Sequence, residues 1–241
     1  MSMELKLDLH IHSEHSPDGR MTLAEIAARA KARGMNGCAV CDHDRVLQEH
    51  FFDPDFLLIP GAEVSTQFGH LLGLFVSAPI DTRDFYEAVE RIHAQGGIAV
   101  LAHPFEHHSD PARIEPIAHL LDGVEVWNSR ADRKISCANI YAECFAEEHQ
   151  LRCFAGSDAH MPQEIGNGYV TVEAEAFTLE AAKAALLRNE VTICGRRSPA
   201  RYTAMSQLTK RKKTGASPAA YIKWGLFAAK CVAQDLLRKG E

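Results

Sequence analysis

Leu5-Lys6-Leu7-Asp8-Leu9-His10-Ile11-His12 alternates leucine with polar residues and then closes on two histidines one residue apart. The period of two predicts a strand over residues 5–10, because successive strand side chains point to opposite faces. It also sends His10 and His12 to the same side, which suits chelation of one cation by two imidazoles. Short apolar runs of this kind return at 37–42, 57–64, 70–75, 98–102, 124–127, 153–156, 169–172 and 191–194. Segments with helical spacing lie between them. Strands alternating with helices predict an α/β fold, a parallel sheet or barrel built from βα units.

The helix between the first two strands carries concordant signals. Thr22 and Glu25 form a capping box, Leu23, Ile26, Ala27 and Ala30 share one face, and Gly34 sits where a helix stops. A second helix, over 84–94, puts Phe85, Val89 and Ile92 on one side and ends at Gly96-Gly97. Others are expected over 111–121, 134–149 and 179–188. In the tail, Lys210-Arg211-Lys212-Lys213 reads as a solvated basic turn, followed by an amphipathic segment over 219–238 that carries Tyr221, Trp224, Phe227 and Val232. The division expected is a barrel over 1–200 and a C-terminal extension over 201–241. That extension packs on the barrel exterior, or meets a partner helix or a membrane surface.

A chain of 241 residues suits one large domain, since single α/β barrels reach this size. Its 46% hydrophobic and 24% charged content excludes the disordered and fibrous classes. A net charge of -6 gives no global attraction to a nucleic-acid backbone and leaves only a local basic patch for a phosphate-rich ligand. Seven cysteines, an odd number without a framework, point to reduced thiols and a cytoplasmic setting. Cys38 and Cys41 form a C-x-x-C without a second pair and lie in an apolar run that reads as a buried strand. The first seven residues lack the basic start and apolar core of a secretory signal. No uncharged apolar stretch is long enough for a membrane span.

Histidines and carboxylates fall at the strand ends, which in (β/α) barrels form the rim where active sites are built. After the second strand stands Asp42-His43-Asp44. Gly61-Ala62-Glu63 closes the third and His70 opens the next. Ala102-His103-Pro104 and Gly156-Ser157-Asp158-Ala159-His160 terminate two more. Asp18, in the turn Ser16-Pro17-Asp18-Gly19, can return a carboxylate toward the rim, with His15 as a nearby competitor. Each fragment alone has a dull reading as a satisfied surface group; five strand ends that each deliver a metal-type ligand do not. Arg20, Arg45, Arg130 and the pair His107-His108 adjoin the rim and are candidate contacts for a substrate phosphate.

Taken in order, Asp8-Leu9-His10-x-His12, Asp42-His43-Asp44, Gly61-x-Glu63, Ala102-His103-Pro104 and Ser157-Asp158-Ala159-His160 resemble the motif series of the PHP (polymerase and histidinol phosphatase) family, across residues 5–172. The resemblance implies a distorted (β/α)7 TIM-like barrel and a trinuclear metal centre. One divalent ion would take His10, His12, Glu63 and Asp158, a second Glu63, His70 and His103, and a third Asp18, His43 and His160. Glu63, Asp158 and His160 would stand at the heart of catalysis. Such a mixture of imidazole and carboxylate suits zinc, manganese or iron better than calcium. A water between two cations has its pKa lowered toward neutrality and can attack phosphorus in line.

The activity implied is hydrolysis of a phosphomonoester or small phosphodiester, with nucleotides and short oligonucleotides among the substrates admitted. A metal-dependent amidohydrolase is the enzymatic alternative. A metal-binding regulatory module acting through the basic run and tail helix is the non-enzymatic one.

Overall fold

Leu5, Leu7 and Leu9 belong to a buried cluster that also takes Ala39, Ile59, Leu72, Val100, Phe154 and Val170, each from a different strand. A sheet can bury one such set only by curling around it. The computed structural model describes residues 2–188 and 190–238. Among them are nine strands: β1 (Met3–Ile11), β2 (Gly37–Val40), β3 (Leu57–Thr66), β4 (Gly69–Leu74), β5 (Ile98–Leu101), β6 (Gly123–Asn128), β7 (Arg152–Gly156), β8 (Gly168–Ala174) and β9 (Thr192–Gly195). They form one sheet in the order β7-β6-β5-β4-β3-β2-β1-β8-β9, curled until β7 lies beside β1 and β8.

The seam between β1 and β7 is stitched by a buried carboxylate. Asp8 accepts from the Ser157 N–H (2.9 Å) and the Gly166 N–H (2.8 Å), and the His12 N–H reaches the Ala159 carbonyl (2.9 Å). The approach is close enough that a Cβ on Gly156 would stand 2.3 Å from the His10 Cβ, so only glycine fits there.

The distorted α/β barrel expected from the sequence is present and nearly closed, and its distortion is local. β1, β2 and β3 are parallel, as are β5, β6 and β7, but β4 runs against both β3 and β5, and β8 against β1. A two-residue connection, Gln67-Phe68, joins β3 to β4. That is too short for the crossover that parallel neighbours need and suits a hairpin, with Gly69 at φ +123°.

Among the described residues are six α-helices: α1 (Leu23–Ala32), α2 (Phe85–Ala94), α3 (Ala138–Glu148), α4 (Leu179–Arg188), α5 (Ala200–Lys213) and α6 (Pro218–Arg238). The α1 capping box is formed on both sides, Thr22 N–H to Glu25 Oε2 at 2.9 Å and Glu25 N–H to Thr22 Oγ1 at 3.2 Å. Outward strand residues meet these helices: Ile11 and Val40 lie with Ile26 of α1, and Val64 and Leu101 with Phe85 and Ile92 of α2.

Three expectations are corrected. Residues 111–121 form two short 3-10 turns, Pro111–Arg113 and Glu115–Leu120, because Pro116 has no N–H to give an α-helical ladder. The helix expected from residue 134 begins at Ala138, preceded by a 3-10 turn over Ala131–Arg133. Lys210–213 is not a turn but the last turn of α5.

α5 and α6 form a hairpin that turns at Gly215 (φ +66°). Asp235 of α6 accepts from the Ala200 N–H (2.6 Å) and the Arg201 N–H (3.1 Å), capping the start of α5 with a carboxylate, and Trp224 donates to the Ala204 carbonyl (2.7 Å). The opposite face of α6 leaves Ile222, Leu226 and Leu236 exposed. Among the described residues no helix is long and apolar enough to cross a membrane.

Candidate metal centre

A β-bulge aims the first two candidate ligands. Asp8 pairs with Cys38 and Ile11 with Val40, so β1 carries one extra residue between them. Leu9 faces the inner cluster, yet Ile11, two residues on, packs outward with α1. The inserted residue flips the alternation, and His10 and His12 turn inward at the rim. Glu63 needs no such device: it follows Leu57, Ile59 and Gly61 along the inner face of β3. His103 and Asp158, just past β5 and β7, have φ of +29° and +53°. Backbone in this region is costly for residues with a Cβ, and here it redirects both side chains into the mouth.

Glu63, 1% exposed, is the hub. Its Oε1 lies 2.7 Å from His70 Nδ1, 2.9 Å from His103 Nε2 and 3.7 Å from His10 Nε2. Its Oε2 lies 2.7 Å from His43 Nδ1 and 3.5 Å from His12 Nε2. Asp158 Oδ1 stands 3.2 Å from His12 Nε2 and 4.0 Å from His10 Nε2. Asp18 Oδ1 stands 3.3 Å from His160 Nε2 and 3.6 Å from His43 Nε2. All nine candidate metal ligands therefore converge. His15, the competitor of Asp18, is paired instead with Glu49.

Hydrogen bonds behind the histidines fix their tautomers. His10 Nδ1 faces Glu125 Oε1 at 3.0 Å, and a carboxylate only accepts, so Nδ1 carries the proton. His12 Nδ1 meets Ser16 Oγ at 3.0 Å; that hydroxyl spends its own proton on Asp42 Oδ1 (2.7 Å), so His12 must donate as well. His160 Nδ1 donates to the Asp158 carbonyl at 2.9 Å. With the rings neutral, as metal ligation requires, each Nε2 is then a lone pair. Those of His10 and His12 face one another at 3.1 Å with Asp158 and Glu63 beside them, and that of His160 faces Asp18. Lone pairs and carboxylates brought together in this way require positive charge between them. Asp18 Oδ1 and Glu63 Oε2 are moreover buried without a hydrogen-bond partner. The residues present fit divalent cations, with Glu125, Ser16 and Asp42 orienting the imidazoles from behind.

Without metal, protons stand in for that positive charge: burial opposes it, yet Glu125, Asp158 and Glu63 raise His10 well above the usual imidazole range. Burial opposes the charge on Glu63, yet His70, His43 and His10 hold its carboxyl well below the usual range. Burial opposes protonation of His43 and His103, but Glu63 with Asp18 pushes His43 up to about 11, and Glu63 pushes His103 up to about 9. Burial, with His160 and His43, pushes His12 down to about 3, as its lone pair requires. Because the raised histidines keep their protons until pH passes those values, an entering cation must displace them. Metal binding near neutral pH is expected to release protons, and apparent affinity to rise as pH climbs toward about 9. Calorimetric titration with zinc in two buffers of different ionisation enthalpy measures this; identical heats in both would contradict it.

Comparison with known proteins places this arrangement. A family model described as PHP-associated matches residues 137–191. An uncharacterized protein of Methanocaldococcus jannaschii is 32% identical over 179 residues, 69% of this chain and 70% of that one. The chain belongs to the PHP family. The crystal structure of a two-domain protein from Bacteroides vulgatus, described as containing a predicted PHP-like metal-dependent phosphoesterase, superposes with a TM-score of 0.61 at 19% identity. The match covers 81% of this chain and 66% of that one and shows the shared PHP fold. A 5'-3' exoribonuclease of Haemophilus influenzae is 38% identical over 81 residues, 30% of this chain and 29% of that one.

In this PHP barrel a cavity of about 290 Å³ opens over the cluster. The wall facing the ligands is basic, with Arg133 and Lys134 leaning on Glu106 at 3.8 and 3.4 Å, and Lys210 of α5. Thr203, Ser206 and Gln207 complete it. The extension expected on the barrel exterior therefore walls the site. His107 is at the rim, its Nδ1 2.8 Å from Lys134 Nζ.

Arg20 and Arg45, expected to meet substrate, are exposed and line no part of this cavity. The left-handed backbone of Asp44 (φ +52°), whose carboxylate accepts from the Ser65 N–H at 2.7 Å, turns the chain away before Arg45. Arg130 does reach the cavity, but its guanidinium is committed to buried Glu164, at 2.8 Å from Nε and 2.5 Å from Nη2, and to Ser206 at 3.3 Å. Glu164 and Lys210 carried no signal in the motifs, one lying in a loop and the other inside a basic run. Burial raises the thiols of Cys38 and Cys41 well above their ordinary range, which suits packing rather than reactivity.

Proposed function

We propose that the chain is a metal-dependent hydrolase of phosphate esters, using two or three zinc, manganese or iron ions. The observation that supports this most is the single buried carboxylate, Glu63, shared by five histidines from β1, β2, β4 and β5 or the residues just beyond them. Bound divalent ions supply Lewis-acid activation of a phosphoryl oxygen and of water. The residues of the chain do the rest. Glu63 holds two groups of ligands in one frame, Asp158 joins His10 and His12, and Asp18 joins His43 and His160. Lys210, Arg133 and Lys134 offer the phosphate positive charge from the facing wall.

A second cavity of about 270 Å³ shares His70, His103, Glu106 and His107 and adds Phe68, Pro104 and His108. With the phosphate over the cluster, this adjoining space takes the organic part of the ester, and its aromatic and proline surfaces accommodate a ring such as a nucleoside's. The similarity to an exoribonuclease over part of the chain supports nucleotides and short oligonucleotides within the substrate range.

A phosphate-release screen tests the proposal. The full chain, loaded separately with manganese, zinc and iron, is offered nucleotides, short oligonucleotides, sugar phosphates and a panel of amides. Release of phosphate or nucleotide from at least one ester is expected, together with its loss in His10→Ala. Cleavage confined to amides would make the protein an amidohydrolase instead. No cleavage of either class would leave a metal-binding regulatory module as the better account.

A further inference from the structure

We infer that Lys213, at the end of α5, is a positioning residue for the loop that carries Asp18, so that the C-terminal hairpin governs part of the metal centre; this rests on reading Asp18 as a ligand. The ammonium of Lys213 has three donors, and the structure gives it three acceptors, all backbone carbonyls of one loop: Glu14 at 2.6 Å, Ser16 at 2.8 Å and Gly19 at 2.7 Å. Three carbonyls converge only where a chain curls tightly. Here the Ser16 N–H returns to the Ser13 carbonyl (3.2 Å) and the Glu14 N–H to the Met21 carbonyl (2.8 Å), while a Cβ on Gly19 would lie 1.9 Å from the Ser13 oxygen.

The loop is held from two sides. On the inner side Asp42 accepts from the Ser13 N–H (2.8 Å), the Ser13 hydroxyl (2.5 Å) and the Ser16 hydroxyl (2.7 Å). On the outer side the carbonyls have Lys213. Asp18 sits between those anchors, with its buried, unpartnered Oδ1 turned toward His160 and His43. A shift on the Lys213 side of this loop therefore moves Asp18, while Asp42 still holds Ser13 and Ser16 from within.

The basic run divides its work accordingly. Lys210 and Lys213, three residues apart, share a helix face toward the mouth, one lining the cavity and the other clamping the loop. Arg211 turns back to the Gln207 and Ala220 carbonyls, and Lys212 is exposed. The register of α5 that permits this is set by Asp235 at its first turn and by Ser206 against Arg130.

The test uses full-length variants and reads metal, not turnover. Zinc or manganese bound per chain is measured by equilibrium dialysis and elemental analysis across a range of free metal. Lys213→Met is expected to weaken the most loosely held ion about ten-fold, the scale of losing a group that orients a ligand. Lys213→Arg recovers part of that loss, and Lys212→Met binds as the parent does. In an Asp18→Asn background, Lys213→Met adds no further loss, since both act on one ligand. Unchanged metal binding in Lys213→Met, or a loss that adds fully to that of Asp18→Asn, overturns the inference. Absence of phosphate release from every variant and the parent would count against the proposed activity, while the metal measurement would still decide this one.

Discussion

Glu63→Gln is expected to lower phosphate release by about three orders of magnitude, with fewer ions bound per chain. The substitution keeps the shape of the side chain and removes its charge. Five imidazoles meet this carboxylate within 3.7 Å, at both of its oxygens. An amide offers one acceptor oxygen and, in place of the other, an NH2 group whose hydrogens would point at ring nitrogens that must themselves bind cations. No rotamer satisfies both sides. The several kcal/mol that Lewis-acid stabilisation contributes, about 4 kcal/mol for a thousand-fold change, is what the variant forfeits. Metal content by elemental analysis separates loss of ions from loss of fold, which circular dichroism reports. A Glu63→Gln protein that holds the parent's metal complement and works within ten-fold of its rate would sink the reading of Glu63 as the hub.

How far these features were readable from the sequence depended on the range of the interaction that sets them. The nine strands announced themselves because an apolar run bounded by turn residues is a local signal. The helix at Leu23 did so because its capping box spans only four residues. The candidate ligands stood out because imidazoles at strand ends have little structural use there. The devices that aim the ligands were not. The bulge before Ile11 depends on how β1 pairs with β2, and the left-handed turns at His103 and Asp158 are enforced by the mouth of the barrel rather than by residue type. The basic run at the end of α5 misled for a different reason. Four adjacent like charges suggest a solvated break, yet lysine and arginine are good helix formers, and the C-terminal end of a helix dipole favours cations. Once α5 runs through them, two of the four charges arrive at the active-site mouth.

Arg130 gives the second large effect, one on stability. Its position beside the strand ending at Asn128 invited a role in substrate binding, and the structure pairs it with Glu164, which is fully buried. Glu164 also accepts from the His160 and Met161 N–H groups, both at 3.2 Å, so the pair supports the segment that delivers His160. Arg130→Met would strand that carboxylate without its partner, a change that typically costs about 3–5 kcal/mol. For a chain of this size the melting temperature should fall by roughly 10 °C. Arg130→Met combined with Glu164→Gln removes both charges, keeps an acceptor oxygen for the His160 and Met161 N–H groups, and should recover a good part of the loss, because the penalty comes from the unpaired charge and not from the missing bond. Thermal melts of the three proteins decide it. Melting unchanged in Arg130→Met, with substrate affinity alone reduced, would return Arg130 to the phosphate; a fall in melting that the double variant reverses would make it a strut beneath His160.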